Sequence, residues 1–253
     1  MNDAIARFET RAASYVQGRP GYLPDLADWL EATLGAHPGQ HLADIGCGAG
    51  QLAALFVERG YDVTGIEPAA AMREAAATRL AGKTAFSIRD GSADATTLPN
   101  ASVDAIVVGT AFHWFDPASA QAEFSRILKH GGWVLLAANE RDPQTTTDRA
   151  FADLLAGYHD DALTLMRDLD DCAPAAFLGA GAVRRVFPYA LTLNATDFKA
   201  LALSRSYMPG SADPRRSQAE ARLDECFTQY AVDGRIVLGY RIVAWATAQW
   251  TRP

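Results

Sequence analysis

The stretch HLADIGCGAGQLA, residues 41–53, constrains this chain more than any other part of it. An apolar run carries Asp44 and leads into Gly46, Gly48 and Gly50 at alternate positions, and an apolar helical pattern starts directly afterwards. Glycine reaches positive φ at no steric cost and leaves the backbone bare, so this spacing predicts a sharp strand-to-helix turn with something lying against it. In an open parallel sheet the first such turn sits beyond the carboxyl end of a strand, where ligands bind.

The rest of the chain agrees with that placement. From residue 40 to about 138, apolar strand-like runs alternate with helical ones, as parallel sheets with crossover helices require. Strands are predicted at 41–45, 61–66, 84–89, 103–109 and 132–138. QLAALFVERG puts Leu52, Leu55 and Phe56 on one helical face and stops at Gly60, and PASAQAEFSRILKHGG does the same with Ala120, Phe124, Ile127 and Leu128. Asp116 and Pro117 suit the start of that second helix, Lys129 and His130 its negative end, and Gly131 its exit. Ahead of the sheet, Ile5, Phe8, Ala12 and Tyr15 predict an amphipathic helix before the turn QGRPGY. Behind it, alternation through Phe187–Leu193 and Ile236–Ile242 predicts two more strands, the first placed at an edge by Pro188. Helical stretches around 143–158, 195–204 and 214–231 complete the chain, with Asp-Pro at 142 and 213 offering a cap and first residue for two of them. No internal repeat or low-complexity tract interrupts the 253 residues, which reads as one domain.

Composition excludes several classes. A formal charge of −7 without clustered Lys and Arg disfavours nucleic acid as a partner. Cys47, Cys172 and Cys226 are too far apart for a paired framework or a metal-ligand spacing, so reduced cytoplasmic thiols and no metal are expected. MNDAIARFETRAAS lacks a secretory pattern and no apolar run nears the roughly 20 residues of a spanning helix, so no membrane association is expected.

Two cofactor chemistries compete for the glycine turn. A dinucleotide site is written G-x-G-x-x-G, and the third glycine position here is Gln51. The pattern present is G-x-G-x-G after Asp44, an acid ill placed beside a pyrophosphate but well placed near an ammonium or sulfonium group. Glu67, at the end of the second strand, can accept both hydroxyls of a ribose, a feature that nicotinamide sites share.

ADIGCGAG, VTGIEP and RILKHGGWVLL resemble the glycine motif, ribose acid and fifth-strand segment of class I S-adenosylmethionine-dependent methyltransferases. SYVQGRPGY, GTAFHWFD and NERD are similar to a type 11 subgroup that includes trans-aconitate methyltransferase-like proteins. The resemblance implies an α/β, Rossmann-like seven-stranded sheet, mostly parallel with an antiparallel last strand and helices on both faces. Residues 1–39 would form a helical cap, 40–140 the cofactor-binding core, and 141–253 the helices and last two strands on the substrate side. It implies S-adenosyl-L-methionine as cofactor, with S-adenosyl-L-homocysteine as product. Gly46, Cys47, Gly48 and Gly50 would lie along the methionyl part and adenosine, Asp44 near the ammonium, and Glu67 on the ribose. Pro68 and Met72 would flank the adenine, Ser92, Ala93 and Asp94 its amino edge, and Thr110 and Ala111 the sulfonium. Tyr15 and Arg19 would reach the amino-acid end, with Arg19 on its carboxylate. Met72 is equally a core residue by type, and Arg19 a surface ion.

On the acceptor side the candidates are Tyr22, His113, Trp114, Asn139, Arg141, Arg205 and Tyr207. His113 follows the fourth strand and can be a general base, an orienting group or a packing residue. Relatives in this subgroup often carry Trp where this chain has Ala138. The reading that follows is methyl transfer to the oxygen or nitrogen of a small molecule, a carboxylate or heterocycle among the options, by a monomer or homodimer. A non-catalytic cofactor-binding protein is the alternative, and a nicotinamide oxidoreductase a weaker one because of Gln51.

Overall fold

A computed structural model describes residues 18–158, 172–205 and 207–250. The helix expected around Ile5–Tyr15 lies outside the described residues. Seven strands form one sheet in the order β3-β2-β1-β4-β5-β7-β6. They are β1 (His41–Ile45), β2 (Asp62–Ile66), β3 (Phe86–Arg89), β4 (Val103–Gly109), β5 (Leu128–Arg141), β6 (Val183–Leu193) and β7 (Ile236–Thr247). β1 to β5 pair in parallel, and β7 runs antiparallel between β5 and β6. The helices are α1 (Pro24–Leu34), α2 (Gln51–Glu58), α3 (Ala70–Arg79), α4 (Pro117–Ile127), α5 (Thr146–Ala156), α6 (Cys172–Leu178), α7 (Ala195–Leu203) and α8 (Arg216–Tyr230). The seven strands and the antiparallel last strand are as the resemblance implies, and β6 is an edge strand with Pro188 in it.

Strands covered on both faces are apolar along most of their length, and the central ones are, with Asp44 the buried charged exception. Leu42, Val63, Ala105 and Val107 pack with Leu26 and Leu30 of α1 and Leu52 and Phe56 of α2. Ala43, Ile45, Ile106 and Val108 face the other way, onto Phe124 and Ile127 of α4 and Phe177 of α6. A third cluster joins Phe151 and Leu155 of α5, Phe198 and Leu201 of α7 and Leu223 of α8 to Ile236, Leu238 and Tyr240. That lobe hangs on strand length. β4 stops at Gly109, opposite Ala137, whereas β5 continues to Arg141, which pairs with Tyr240 of β7. The lobe is thereby held beyond the carboxyl end of β4, and a cleft opens between the two.

Several boundaries differ from the sequence reading, each for a local reason. α4 ends at Ile127, because Leu128 turns extended, pairs with Val103 and is buried in the core. Lys129 and His130 therefore lie in β5 rather than at a helix end, Lys129 holding Asp104 at 2.7 Å. Gly131, at φ +78, belongs to a bulge across which the register jumps from Leu128 to Trp133. Asp116 does cap α4, accepting from Ser119 N at 3.0 Å, with Pro117 behind it. α5 starts later than Asp142-Pro143 suggests, since Thr145 and Asp148 form a reciprocal capping box. α8 likewise starts at Arg216, past Asp213-Pro214. α1 went unread although it carries Pro24 at its first position and Gly35, at φ +69, at its end.

Asp148 does more than cap. Its Oδ2 accepts from Thr145 N (2.9 Å) and Oγ1 (2.7 Å), and its Oδ1 accepts from Gly239 N of β7 (2.7 Å), the Asp148 side chain itself being nearly out of water. Asp148→Ala strands those donors and is expected to destabilise the protein by about 2–3 kcal/mol in denaturant melts. Asp142→Ala should change little, and equal losses from the two would put the cap back at Asp142.

Candidate active site

Asp44 lies next to last in β1, its backbone paired with Gly65 on one side and Val107 on the other, and it is fully buried. Neither carboxylate oxygen has a hydrogen-bond partner among the described residues. Desolvation pushes its pKa up to about 7; the Ala53 backbone N–H, too poorly aligned for a full hydrogen bond, pulls against the rise, and Glu67 nearby adds to it. Its side chain lines the cleft.

The glycine turn follows. Gly46 N and Cys47 N donate to Ile66 O at 2.8 and 3.2 Å, which ties the turn to the end of β2. Gly46 has φ +67, and a Cβ there would stand 2.8 Å from Ala111 Cβ, so both strain and space demand glycine. Gly50, at φ +77, behaves differently: its missing side chain faces Leu80 and Ala76 at 3.3 and 3.4 Å. Its bareness leaves room for α3 and the residue that ends it.

Glu67 clasps the turn. Its Oε2 accepts from Gly48 N at 3.0 Å and its Oε1 from Ala69 N at 2.9 Å. Burial raises its pKa, and those two N–H groups with Arg73 work against the rise. Arg73 Nη1 donates to the Glu67 and Pro68 carbonyls, both at 2.8 Å, and so fixes the strand end that carries the acid. Each oxygen of Glu67 keeps an acceptor site free of the backbone, the pair that a vicinal diol requires.

At the end of β4, Thr110 sits at φ +55, a strained setting for a β-branched residue. Its N–H donates to Ala137 O at 2.7 Å, and its Oγ1 accepts from Asn139 N at 3.1 Å and meets Tyr22 Oη at 3.0 Å. From the lobe side, Arg205 Nη2 donates to Tyr240 Oη at 2.7 Å, both side chains buried.

The cleft, about 520 Å³ including its open mouth, gathers Arg19, Tyr22, Asp44, Gly46, Cys47, Thr110, Asn139 and Arg205 from the expected set. It also takes in Pro20, Gln51, Leu52, Gly109 and Tyr240, which the sequence reading did not place there. Gln51 had a signal, a polar residue at the first position of an apolar helix beside the glycines, and its Nε2 is buried without a partner among the described residues. Tyr240 had a weaker one, a phenol within an alternating apolar strand.

Other expected residues lie off the cleft lining. Gly48 and Gly50 belong to the turn, Pro68 follows Glu67, and Met72 is buried in α3. Ser92, Ala93 and Asp94 form a tight turn in which Ser92 Oγ donates to Asp94 Oδ1 at 2.6 Å. Ala111 packs under Gly46. His113 and Trp114 sit half-buried on a 3₁₀ turn (Phe112–Trp114), ring centroids 4.8 Å apart, and neither lines the cleft. Arg141 and Tyr207 are half-buried outside the lining, and Tyr15 falls outside the described residues.

A family model described as a methyltransferase domain matches residues 43–136, which contain the turn, Glu67 and Thr110. An uncharacterized methyltransferase of Geobacillus thermodenitrificans is 34% identical over 171 residues, covering 64% of this chain and 79% of the relative. An uncharacterized methyltransferase of Mycobacterium tuberculosis is 33% identical over 153 residues; the match spans 60% of that relative's length and 60% of this chain. A solved structure assigned as a type II methyltransferase, from Anaeromyxobacter dehalogenans, superposes with TM-score 0.65 at 20% identity, covering 90% of this chain and 97% of that one, and so shares the fold. The chain belongs to the methyltransferase family. Among the described residues, no helix is long and apolar enough to cross a membrane.

Because the folded-state pKa of Asp44 lies above its unfolded value, the stability linked to it is present below about pH 4 and lost as pH rises through about 7. Asp44→Asn removes that loss. In the unliganded protein the variant is expected to gain melting temperature over wild type at pH 8 and much less at pH 5. An equal shift at both pH values would show that the carboxylate ionises without penalty.

Proposed function

We propose that the cleft binds S-adenosylmethionine and that the enzyme transfers its methyl group to a small-molecule acceptor entering from the side of the C-terminal lobe. One observation carries the reading: a fully buried carboxylate, Asp44, lines the cleft with neither oxygen in a well-formed hydrogen bond among the described residues and only the Ala53 N–H easing its charge. A cationic ligand supplies what that group lacks, whereas a pyrophosphate would set anion against anion. In this reading Asp44 takes the cofactor's ammonium, Arg19 its carboxylate and Glu67 its ribose hydroxyls. Gln51, occupying the position of the third dinucleotide glycine, offers its amide to the same amino-acid end.

The bound sulfonium would supply an electrophilic methyl group. The residues of this chain orient and desolvate: Tyr22 and Thr110 close one wall, and Arg205 with Tyr240 forms the wall on the lobe side. Methyl transfer needs the acceptor held about 3–3.5 Å from the carbon, and a base only when the acceptor is protonated. His113 stands off the cleft lining, which favours a positioning or packing role for it over proton abstraction. An acidic chain of formal charge −7 suits a small acceptor better than a nucleic acid.

S-adenosylhomocysteine is expected to raise the melting temperature by mass action, and NAD to leave it unchanged. Glu67→Ala should weaken the homocysteine compound by about 1.5–3 kcal/mol, the scale of hydrogen bonds to a charged group, in a protein that still folds. Stabilisation by NAD alone would overturn the cofactor reading. A screen of small acids, phenols and heterocycles for a mass gain of about 14 Da then identifies the acceptor, one added methylene relative to its parent.

A further inference from the structure

The short segment Gly18–Tyr22 supplies Arg19, Pro20 and Tyr22 to the cleft, so the cleft is complete only while that segment is seated. Its seat is built from both halves of the molecule. At one end Gly18 lies so close to α7 that a Cβ there would collide with the Ala200 carbonyl and stand 2.8 Å from Ser204 Cβ. At the other end Tyr22 Oη reaches over β4, where a Cβ on Gly109 would stand 2.8 Å from it. Glycines at both contact points leave room for the segment and nothing larger.

Between those ends one side chain joins the segment to the sheet. Asn139 Nδ2 donates to Gly21 O at 3.0 Å, while Asn139 Oδ1 accepts from Tyr189 Oη of β6 at 2.7 Å. The backbone N–H of Asn139 meets Thr110 Oγ1, which Tyr22 Oη also meets. Four parts of the fold, the segment, β4, β5 and β6, therefore share one polar network. Burial holds the Tyr189 phenol above the usual tyrosine range, with the Tyr240 ring beside it adding to the effect, so it remains a donor. With its oxygen taken by Tyr189 and its amide on Gly21, the Asn139 side chain is oriented by the protein before any ligand enters.

Resting on the reading that the cleft holds the cofactor, we propose that Asn139 and Tyr189 are positioning residues that latch Gly18–Tyr22 over it and set how fast the cofactor leaves. Neither need touch the reacting atoms. Tyr189 fixes the rotamer of Asn139, Asn139 holds the Gly21 carbonyl, and that bond with the Tyr22–Thr110 contact keeps Arg19 and Tyr22 in the cleft wall.

The test uses the full chain with S-adenosylhomocysteine as probe. Tyr189→Phe and Asn139→Ala are expected to speed its dissociation about tenfold, the effect of losing one such hydrogen bond, with melting temperatures of the free proteins close to wild type. Hydrogen exchange over residues 18–23 of the unliganded protein should rise in both variants while exchange in β1 and β4 stays unchanged. Gly18→Val, which unseats the segment from the opposite end, should reproduce both effects with Asn139 and Tyr189 themselves unchanged. Wild-type exchange over 18–23 and a wild-type dissociation rate in Tyr189→Phe and Asn139→Ala would overturn the latch. If S-adenosylhomocysteine does not bind the wild-type protein, the cofactor reading fails, and unchanged exchange over 18–23 in the variants is then what refutes the latch.

Discussion

A carboxylate buried within a sheet without a well-formed hydrogen bond is costly, and much of this molecule is arranged around one. Asp44 cannot retreat to water, because β1 is flanked by β2 and β4 and both faces of the sheet are covered. The cost appears as a pKa displaced to about 7, so near neutrality the group is poised between a neutral and a charged form. A cation in the cleft would resolve that frustration. In the proposed reading the cost of burying that carboxylate becomes selectivity for a positively charged ligand and against a phosphate, which would separate this turn from the dinucleotide turns it partly resembles.

The same interaction explains the layout of the glycine turn. The turn hangs from the end of β2 through Ile66 O and is closed by Glu67 gripping Gly48 N, so β1 and β2 present their acids at a spacing set by sheet register. Arg73 fixes the carbonyls on either side of the Glu67–Pro68 bond. The elongated β5 and β7 then carry the third core cluster past the carboxyl end of the sheet, which brings Arg205 and Tyr240 opposite the acids. Position along a strand thereby becomes position around a ligand.

The parallel core was legible because its signals are local. Alternating apolar runs, three glycines and two acids each have a backbone or burial reason that shows in a few consecutive residues. Asp116-Pro117 was read correctly as a helix start because its cap bond spans three residues. The end of α4 was misplaced because Leu128 is taken by a pairing with Val103, a contact that no window around LKHGG contains. Thr145 displaced Asp142 as a cap because Asp148 also bonds Gly239, far along the chain. In the site, Asp44, Glu67 and the turn could be named from spacing alone, whereas Tyr240 and Tyr189 enter only through the antiparallel register of β7 with β5 and β6. His113 drew attention as a titratable residue beyond a strand end, yet its turn directs the neighbouring aromatics Phe112 and Phe115 into the core around Phe177 and Phe124.

The central claim is that the cofactor's cationic end ionises Asp44. Calorimetric titration of S-adenosylhomocysteine at pH 6.5, in two buffers of different ionisation enthalpy, measures the protons exchanged on binding. With the free group titrating at about 7, net release of a fraction of a proton is expected as binding drives its pKa down, with a marked loss of that release in Asp44→Asn. Binding with no proton released, or with protons taken up, would contradict it.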